Sequence, residues 1–302
     1  VTQEDQPDVL LTIQTAAGAL EGRTCERLEA LSELLPTEPV TRAGLECALL
    51  DAWARLAGQP VCALLGGAPR PLITDITLPI SEPARMAELA AEYRAAGFRS
   101  FKVKVGKALE ADLRALQAVH ARVNDACYRL DANGGFTARE ALELLAHTRS
   151  AGLAVECFEQ PCARSDLDGM AQVARDGGVP VIADESLRSD ADLTQLLATR
   201  AAHGVNLKLA KLGGPLTALA LGRRARAHGL SLMCGGMVET RLGIAAMAHV
   251  ACALPAVEYV DLDTAFLLAS DPFHGGYVDL GPRLELTAAP GWGVGQISAA
   301  PR

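Results

Sequence analysis

The sequence predicts an α/β fold, a closed (β/α)8 barrel of the TIM type, from three observations. Half of the 302 residues are hydrophobic, which is enough for a large core. Eight short β-branched or apolar runs alternate with longer Ala- and Leu-rich stretches of helical period. The carboxyl ends of these runs are 24 to 28 residues apart. A doubly wound open sheet is the competing architecture, but it rarely keeps eight such even units.

The predicted barrel covers residues 71–270. Its eight strands are predicted, in chain order, at residues 73–80, 100–105, 128–131, 154–159, 179–184, 204–208, 230–234 and 257–261. The helices between them are predicted at residues 83–96, 109–123, 138–150, 191–200, 216–228 and 241–252.

Residues 1–70 differ in character from the barrel, because they contain no convincing pair of strands. Three segments have a helical pattern, at 9–23, 25–35 and 42–56, so we expect a small helical cap. Residues 271–302 contain short apolar runs between Gly and Pro, and we expect them to fold back onto the cap and the barrel.

Charge and cysteine content exclude several classes of protein. The formal net charge is −8 and no basic residues cluster, so we expect no nucleic-acid or membrane partner. No apolar run is long enough to span a bilayer. The eight cysteines stand singly, without a Cys-x-x-Cys pair, which is typical of buried thiols in a reducing compartment. The sequence therefore predicts a cytoplasmic protein without a disulfide framework or a zinc site.

Almost every predicted strand ends in a charged residue, and the carboxyl ends of the strands form the active face of such a barrel. Asp131, Glu159 and Asp184 end three consecutive strands, which lie about 4.8 Å apart in a sheet. Their carboxylates could converge on one ion, and oxygen ligands without a His/Cys cluster suit Mg²⁺ better than zinc. The alternative is that each carboxylate caps a helix or pairs with a lysine, which accounts poorly for three in register.

Lys102 and Lys104 are two residues apart on one predicted strand and therefore face the same side. Two close ammonium groups beside a metal would lower the pKa of a lysine from its usual value of about 10.4, so that it could act as a base. Lys208 lies across the barrel, where a second base could return a proton to the opposite face of one carbon. Alternatively, residues 102–104 are a solvated strand. Lys211 is interpreted as structural.

Taken together, these segments resemble the enolase superfamily, in its muconate-lactonising subgroup. The order and spacing of the matching segments agree over residues 39–295; the segments are 101–106, 130–133, 159–161, 183–186 and 206–214. The resemblance implies a homo-oligomer, and it implies that residues 1–70 are the helical remainder of an N-terminal capping domain whose antiparallel sheet is missing.

The resemblance also implies roles for the charged strand ends. Mg²⁺ would be bound by three carboxylates, those of Asp131, Glu159 and Asp184. Lys104 and Lys208 would form the acid/base pair, with Lys102 tuning Lys104.

The segment Val260-Asp261-Leu262-Asp263-Thr264 is the most discriminating one within the subgroup. It is similar to the Asp-x-Asp element of dipeptide epimerases, in which both carboxylates hold the α-ammonium group of the substrate. Asp261 and Asp263 lie at a strand end and could form a charge-assisted clamp on a free amine. The alternative is that Asp263 caps a turn and Asp261 pairs with a lysine. Residues 235–243 also resemble the corresponding loop of those enzymes.

The resulting hypothesis is a Mg²⁺-dependent dipeptide epimerase similar to L-Ala-D/L-Glu epimerases. It would invert the Cα of the second residue of a dipeptide by 1,1-proton transfer through an enediolate, with no further cofactor.

An N-acylamino-acid racemase, an o-succinylbenzoate synthase or a cycloisomerase would keep the metal and the lysines but would not need Asp261 and Asp263. A chain without its lid could also be an inactive binding protein. Acid-sugar dehydratases are disfavoured, because residues 232–235 lack their catalytic histidine.

Overall fold

The computed structural model describes residues 4–24, 27, 30 and 33–297. Its first part is helical, with α1 (Gln6–Leu20), α2 (Pro39–Leu56) and the short α3 (Val61–Leu64). Asp5 caps α1, because its Oδ1 accepts a hydrogen bond from Asp8 N at 3.1 Å. Most of the helix predicted at 25–35 lies outside the described residues.

After α3, strands and helices alternate along the chain. The strands are β1 (Leu72–Ile73), β2 (Ile76–Leu78), β3 (Ser100–Lys104), β4 (Cys127–Asp131), β5 (Ala154–Glu159), β6 (Val181–Ala183), β7 (Gly204–Leu207), β8 (Ser231–Gly235), β9 (Tyr259–Asp261), β10 (Phe273–Gly275), β11 (Tyr277–Leu280), β12 (Arg283–Leu286) and β13 (Val294–Gln296). The helices are α4 (Pro83–Ala95), α5 (Leu109–Arg122), α6 (Ala138–Ser150), α7 (Leu167–Asp176), α8 (Asp190–Thr199), α9 (Leu209–Leu212), α10 (Pro215–Ala227) and α11 (Arg241–Ala253).

Strands β2 to β9 form one parallel eight-stranded sheet in which each strand pairs with the next along the chain. At the seam between β9 and β2, single hydrogen bonds join the two edges. Asp75 N donates to Val260 O at 3.1 Å, and Leu262 N donates to Thr74 Oγ1 at 2.8 Å. These bonds nearly close the barrel. The predicted (β/α)8 architecture is confirmed.

The first predicted strand, at 73–80, is wrong in extent. Its beginning is β1, which pairs antiparallel with β12 outside the barrel, and only β2 belongs to the barrel. The chain passes from one sheet to the other at Thr74 and Asp75, whose hydrogen bonds to the β9 edge fix this crossing. No helix was predicted between the fourth and fifth barrel strands, where α7 lies.

The C-terminal segment contacts both the helical cap and the barrel. Strands β11 and β12 extend the small sheet begun by β1, and β10 pairs with β13. Trp292 Nε1 donates to Cys47 O in α2 at 2.9 Å, and the indole lies 5.4 Å from the ring of His249 in α11. The domain boundaries at residues 70 and 270 stay predictions. In the ranges that the structure describes, none of the helices is long and apolar enough to cross a membrane.

Candidate active site

Asp131, Glu159 and Asp184 lie at the carboxyl ends of three neighbouring strands. The β3–β4 register places Asp131 beside Lys104, and the β4–β5 register places it beside Glu159. Asp184 follows β6 directly. All three carboxylates are buried, so each needs a positive charge or a hydrogen-bond donor close by.

Lysine ammonium groups lie between these carboxylates. Lys102 Nζ is 2.7 Å from Glu159 Oε2 and 3.1 Å from Asp131 Oδ2. On the other side, Lys208 Nζ is 2.7 Å from Asp184 Oδ2 and 3.8 Å from Glu159 Oε1. The structure thus brings together two of the predicted catalytic lysines and all three predicted metal ligands.

Lys104 is the most accessible of the three predicted lysines. Its Nζ lies 2.6 Å from Asp131 Oδ2 and 3.2 Å from Asn133 Oδ1. Its side chain is 28% exposed, whereas those of Lys102 and Lys208 are 3% and 7% exposed. Lys104 can therefore contact a molecule that enters from solvent, while Lys102 lies beneath it in the barrel.

The surroundings of Lys102 raise the pKa of its ammonium group. Burial by itself would lower this pKa, but the charges of Asp131, Asp261 and Glu159 raise it well above its usual value. The effect of the carboxylates on the pKa is larger than that of burial, because the carboxylates contact Nζ directly. The pKa of Lys208 is also raised, since the charges of Asp184 and Glu159 offset its burial.

Lys211, interpreted as structural from the sequence, lies within this group of charges. Its Nζ donates to Asp184 Oδ1 and to Asp184 O, both at 2.6 Å, and to Asn206 O at 2.9 Å. Burial lowers its pKa, against the attraction of Asp184. The pKa of Asp184 is held well below its usual range despite burial, because Lys211 and Lys208 both contact it. Lys211 therefore orients Asp184.

The donor atoms of the site suit a hard divalent cation. Glu159 Oε1 accepts from Asn206 Nδ2 at 2.8 Å, but the buried Oε2 accepts no hydrogen bond of good geometry from the described residues, although Lys102 Nζ is close. Burial and the charge of Asp131 raise the pKa of Glu159 to about 7, because together they outweigh the attraction of Lys102 and Lys208. Oxygen donors of this kind fit Mg²⁺.

Asp131, Glu159 and Asp184 nevertheless do not bring one oxygen each within 4.8 Å of one another, and a lysine ammonium group contacts each of them. In the described ranges, the one group of three acidic residues with one oxygen each within 4.8 Å of one another is a different one, formed by Asp75, Asp261 and Asp263. An ion bound by the predicted triad would therefore compete with lysine ammonium groups for the same oxygens.

Asp261 and Asp263, the predicted amine clamp, lie at and just after the end of β9, and both are buried. Asp261 Oδ2 accepts from Lys102 Nζ at 2.7 Å, which is the lysine pairing given above as an alternative. Asp263 Oδ2 accepts from Thr77 N at 2.5 Å and so holds the β2 edge. The two carboxylates therefore lie close to the lysines, and one oxygen of each already accepts a hydrogen bond from the protein.

Sequence reasoning missed Asp75 and Arg129, which lie inside the barrel below the site. Arg129 Nη1 donates to Asp75 Oδ2 and to Val260 O, each at 2.9 Å. Both residues are buried, and both interrupt predicted strands that are otherwise largely apolar. A charged residue within an otherwise apolar strand is the feature of the sequence that could have identified both residues.

The sequence model of the family described as Enolase C-terminal domain-like matches residues 85–296. This match covers more than half of the chain, and the chain therefore belongs to that family. The resemblance to the enolase superfamily stated from the sequence motifs is confirmed.

Individual relatives indicate which kind of enzyme within this family the chain resembles. The chain is 40% identical over 301 residues to an L-Ala-D/L-amino acid epimerase from Populus trichocarpa, and the alignment covers 96% of this chain and 71% of that protein. A substrate-liganded structure of the L-Ala-D/L-Glu epimerase from Bacillus subtilis has a TM-score of 0.93 at 33% identity, covering 97% of this chain and 84% of that one.

A dipeptide epimerase from Enterococcus faecalis V583, solved with Mg and the dipeptide L-Leu-L-Tyr, has a TM-score of 0.91 at 34% identity. Here 97% of this chain and 84% of that chain are covered. Because these relatives are epimerases, the prediction that the chain is an enzyme of the isomerase class is confirmed.

Proposed function

We propose that the protein is a Mg²⁺-dependent dipeptide epimerase. The observation that carries the proposal is the position of Asp261 and Asp263 at the same end of the barrel as Lys104, Lys208 and the buried carboxylates. The Enterococcus faecalis relative, which was solved with Mg and a dipeptide, supports this function. We also propose a cytoplasmic homo-oligomer.

Asp131, Glu159 and Asp184 would hold the Mg²⁺ ion. When bound, the ion supplies positive charge that stabilises an enolate oxygen and thereby favours loss of the neighbouring Cα proton. Two of the three side chains are held in place by neighbouring residues. Asn206 orients Glu159, and Lys211 orients Asp184.

Lys104 and Lys208 would act on opposite faces of the substrate Cα. They lie on either side of Glu159, since Lys104 extends from β3 and Lys208 follows β7. The neutral amine of one lysine would take the Cα proton, and the ammonium of the other would donate a proton to the opposite face. This exchange inverts the configuration of the second residue of the dipeptide. Lys102 would remain protonated beneath Lys104.

Asp261 and Asp263 would bind the α-ammonium group of the dipeptide. An ammonium group has three donors, and a charge-assisted hydrogen bond to a buried carboxylate is about twice as strong as a neutral one. Such a clamp selects substrates with a free amine and fixes the position of the second Cα.

Incubation with a panel of L,L-dipeptides in D₂O tests the function. We expect deuterium at one Cα and a new diastereomer with at least one dipeptide, detected by NMR and mass spectrometry. Lys104→Ala and Lys208→Ala should each lose most of the epimerisation, whereas Lys107→Ala, on the exposed surface, should retain it. Absence of exchange with every dipeptide would refute the proposal.

The hydrogen bonds that Asp261 and Asp263 already make to protein donors favour a second candidate, an N-acylamino-acid racemase. In that enzyme the two carboxylates would only support the barrel seam. Asp263→Asn separates the two functions, because the amide oxygen can still accept from Thr77 N while the charge is lost. An epimerase should lose at least about tenfold in kcat/KM, as expected when one partner of a buried charge pair is removed. An N-acylamino-acid racemase should keep its activity.

A further inference from the structure

Asp75 is a buried carboxylate that the proposed mechanism does not use. It lies between β1 and β2, at the seam with β9, and is not exposed to solvent. Its Oδ2 accepts from Arg129 Nη1 at 2.9 Å. Its Oδ1 is buried and has no hydrogen-bond partner among the residues that the structure describes. A buried carboxylate oxygen without a partner is costly and requires an explanation.

Asp261 and Asp263 face Asp75 across the seam. One oxygen of each of the three side chains lies within 4.8 Å of one oxygen of the other two. Arg129 and Lys102 are the cations in contact with this group. These two cations are shared, because Arg129 Nε is also 2.8 Å from Glu156 Oε2 and Lys102 contacts the predicted metal ligands.

The seam therefore carries more negative than positive charge. Negative charges held this close together in a buried site disfavour one another, so the pKa of at least one of the carboxylates is raised. Burial and the charge of Asp261 raise the pKa of Asp75 well above its usual value, against the attraction of Arg129. The pKa of Asp263 is raised to about 6 by burial and by Asp261. Lys102 keeps the pKa of Asp261 low despite burial.

We propose that Asp75 is the third carboxylate of the amine site, and that it holds a proton which leaves when an α-ammonium group binds at Asp261 and Asp263. The inference rests on the proposed function, because it takes these two residues as the amine ligands. In the free enzyme, the protonated Oδ1 of Asp75 donates to a neighbouring carboxylate, which satisfies the unpartnered atom. The bound ammonium brings one positive charge, and one proton departs.

An ammonium group suits this cluster better than a metal ion does. Asp75 Oδ2 and Asp261 Oδ2 already accept from the cations Arg129 and Lys102, so they lie among hydrogen-bond donors and not in an empty coordination shell. An ammonium group carries a single positive charge and donates hydrogen bonds, so it can balance the remaining negative charge of these carboxylates. Asp75 is a positioning residue in this scheme, since it acts on the substrate through the charge of Asp261 and Asp263.

Infrared difference spectroscopy of the Mg²⁺-loaded enzyme at pH 7 detects the proton. The spectrum of the wild type minus that of Asp75→Asn should contain one carbonyl stretch of a neutral carboxylic acid. That band should disappear when the dipeptide with the fastest deuterium exchange is added, or L-Ala-L-Glu if none exchanges. Glu46→Gln is the matched control, because Glu46 is a buried carboxyl outside the site and its band should not respond to the dipeptide.

Calorimetry needs only the wild type, so it tests for release of the proton even if Asp75→Asn does not fold. Titration with the same dipeptide in two buffers of different ionisation enthalpy should show about one proton released per dipeptide bound, as the linkage between ligand and proton requires. The N-acetylated dipeptide should bind without this release or not bind at all.

The two proposals can fail separately. A missing neutral-carboxyl band, or a band that persists with the dipeptide bound, overturns the assignment of Asp75 even in an active epimerase. Equal proton release with the acetylated dipeptide also overturns it. Proton release on binding without deuterium exchange supports the assignment of Asp75 and contradicts the epimerase.

Discussion

Lys102 places a positive charge in the interior of the barrel, in contact with three carboxylates. Its Nζ lies 2.7 to 3.1 Å from oxygens of Asp131, Glu159 and Asp261. A buried ion is tolerated only with such partners, and removing it leaves their charges uncompensated. The same residue therefore supports both the predicted metal ligands and the predicted amine ligands.

Lys102→Met should lower the free energy of unfolding by about 3–5 kcal/mol, because it leaves buried carboxylates without their shared cation. Urea unfolding at pH 7 measures the change. Lys107→Met is the control, since Lys107 is exposed, and it should change stability by less than about 0.5 kcal/mol. Equal stability of the two variants would contradict the role given to Lys102.

At the scale of secondary structure elements, a carboxylate joins the helical cap to the barrel. Glu46 of α2 is buried, and its Oε1 accepts from Leu216 N, in the first turn of α10, at 2.6 Å. The preceding Gly214 allows this approach, because a Cβ there would lie 2.6 Å from Glu46 Oε1. Burial raises the pKa of Glu46 to about 7, although the hydrogen bond from Leu216 opposes the shift.

Glu46→Gln should become more stable than the wild type as the pH rises. A pKa raised from 4.5 to about 7 gives stability that is present below pH 4.5 and is lost as the pH rises through 7. The loss in the wild type is at most about 3 kcal/mol between pH 4.5 and pH 8, and the glutamine, which keeps an acceptor for Leu216 N, avoids it. Urea unfolding at pH 5 and pH 8 gives the difference. Glu88→Gln, on the exposed side of α4, should show no such trend.

Across the whole molecule, Trp292 links the C-terminal segment, the helical cap and the barrel. Its backbone N donates to Asp51 Oδ1 at 2.8 Å, its Nε1 donates to Cys47 O, and its ring contacts His249. A large aromatic side chain that is almost fully buried stabilises all three regions at once.

Trp292→Ala should destabilise the protein by about 3–5 kcal/mol, as is usual for loss of a buried aromatic side chain. Circular dichroism and tryptophan fluorescence from Trp53 should report one shared unfolding transition, because the three regions depend on the same contacts. Leu280→Ala, at an exposed position of β11, is the control and should have little effect. An unchanged midpoint in Trp292→Ala would contradict the proposed link.

The barrel could be predicted because each strand and helix repeats a local pattern, and because strand ends carry charges at regular spacing. The crossing at Thr74 and Asp75 could not be predicted, since it depends on hydrogen bonds to residues almost 190 positions away. The predicted site residues lie together, but the pairing of Asp261 with Lys102 and the raised pKa of Lys102 depend on distances that strand order alone does not give.

The hydrogen bonds at the seam between β9 and β2 offer a way to detect ligand binding. Side-chain oxygens of Thr74 and Asp263 accept the amide protons of Leu262 and Thr77 there, in place of a regular ladder. A ligand that engages Asp263 changes an acceptor of a structural hydrogen bond. Hydrogen exchange at the amide of Thr77 would therefore report occupancy of the amine site at equilibrium, without any turnover.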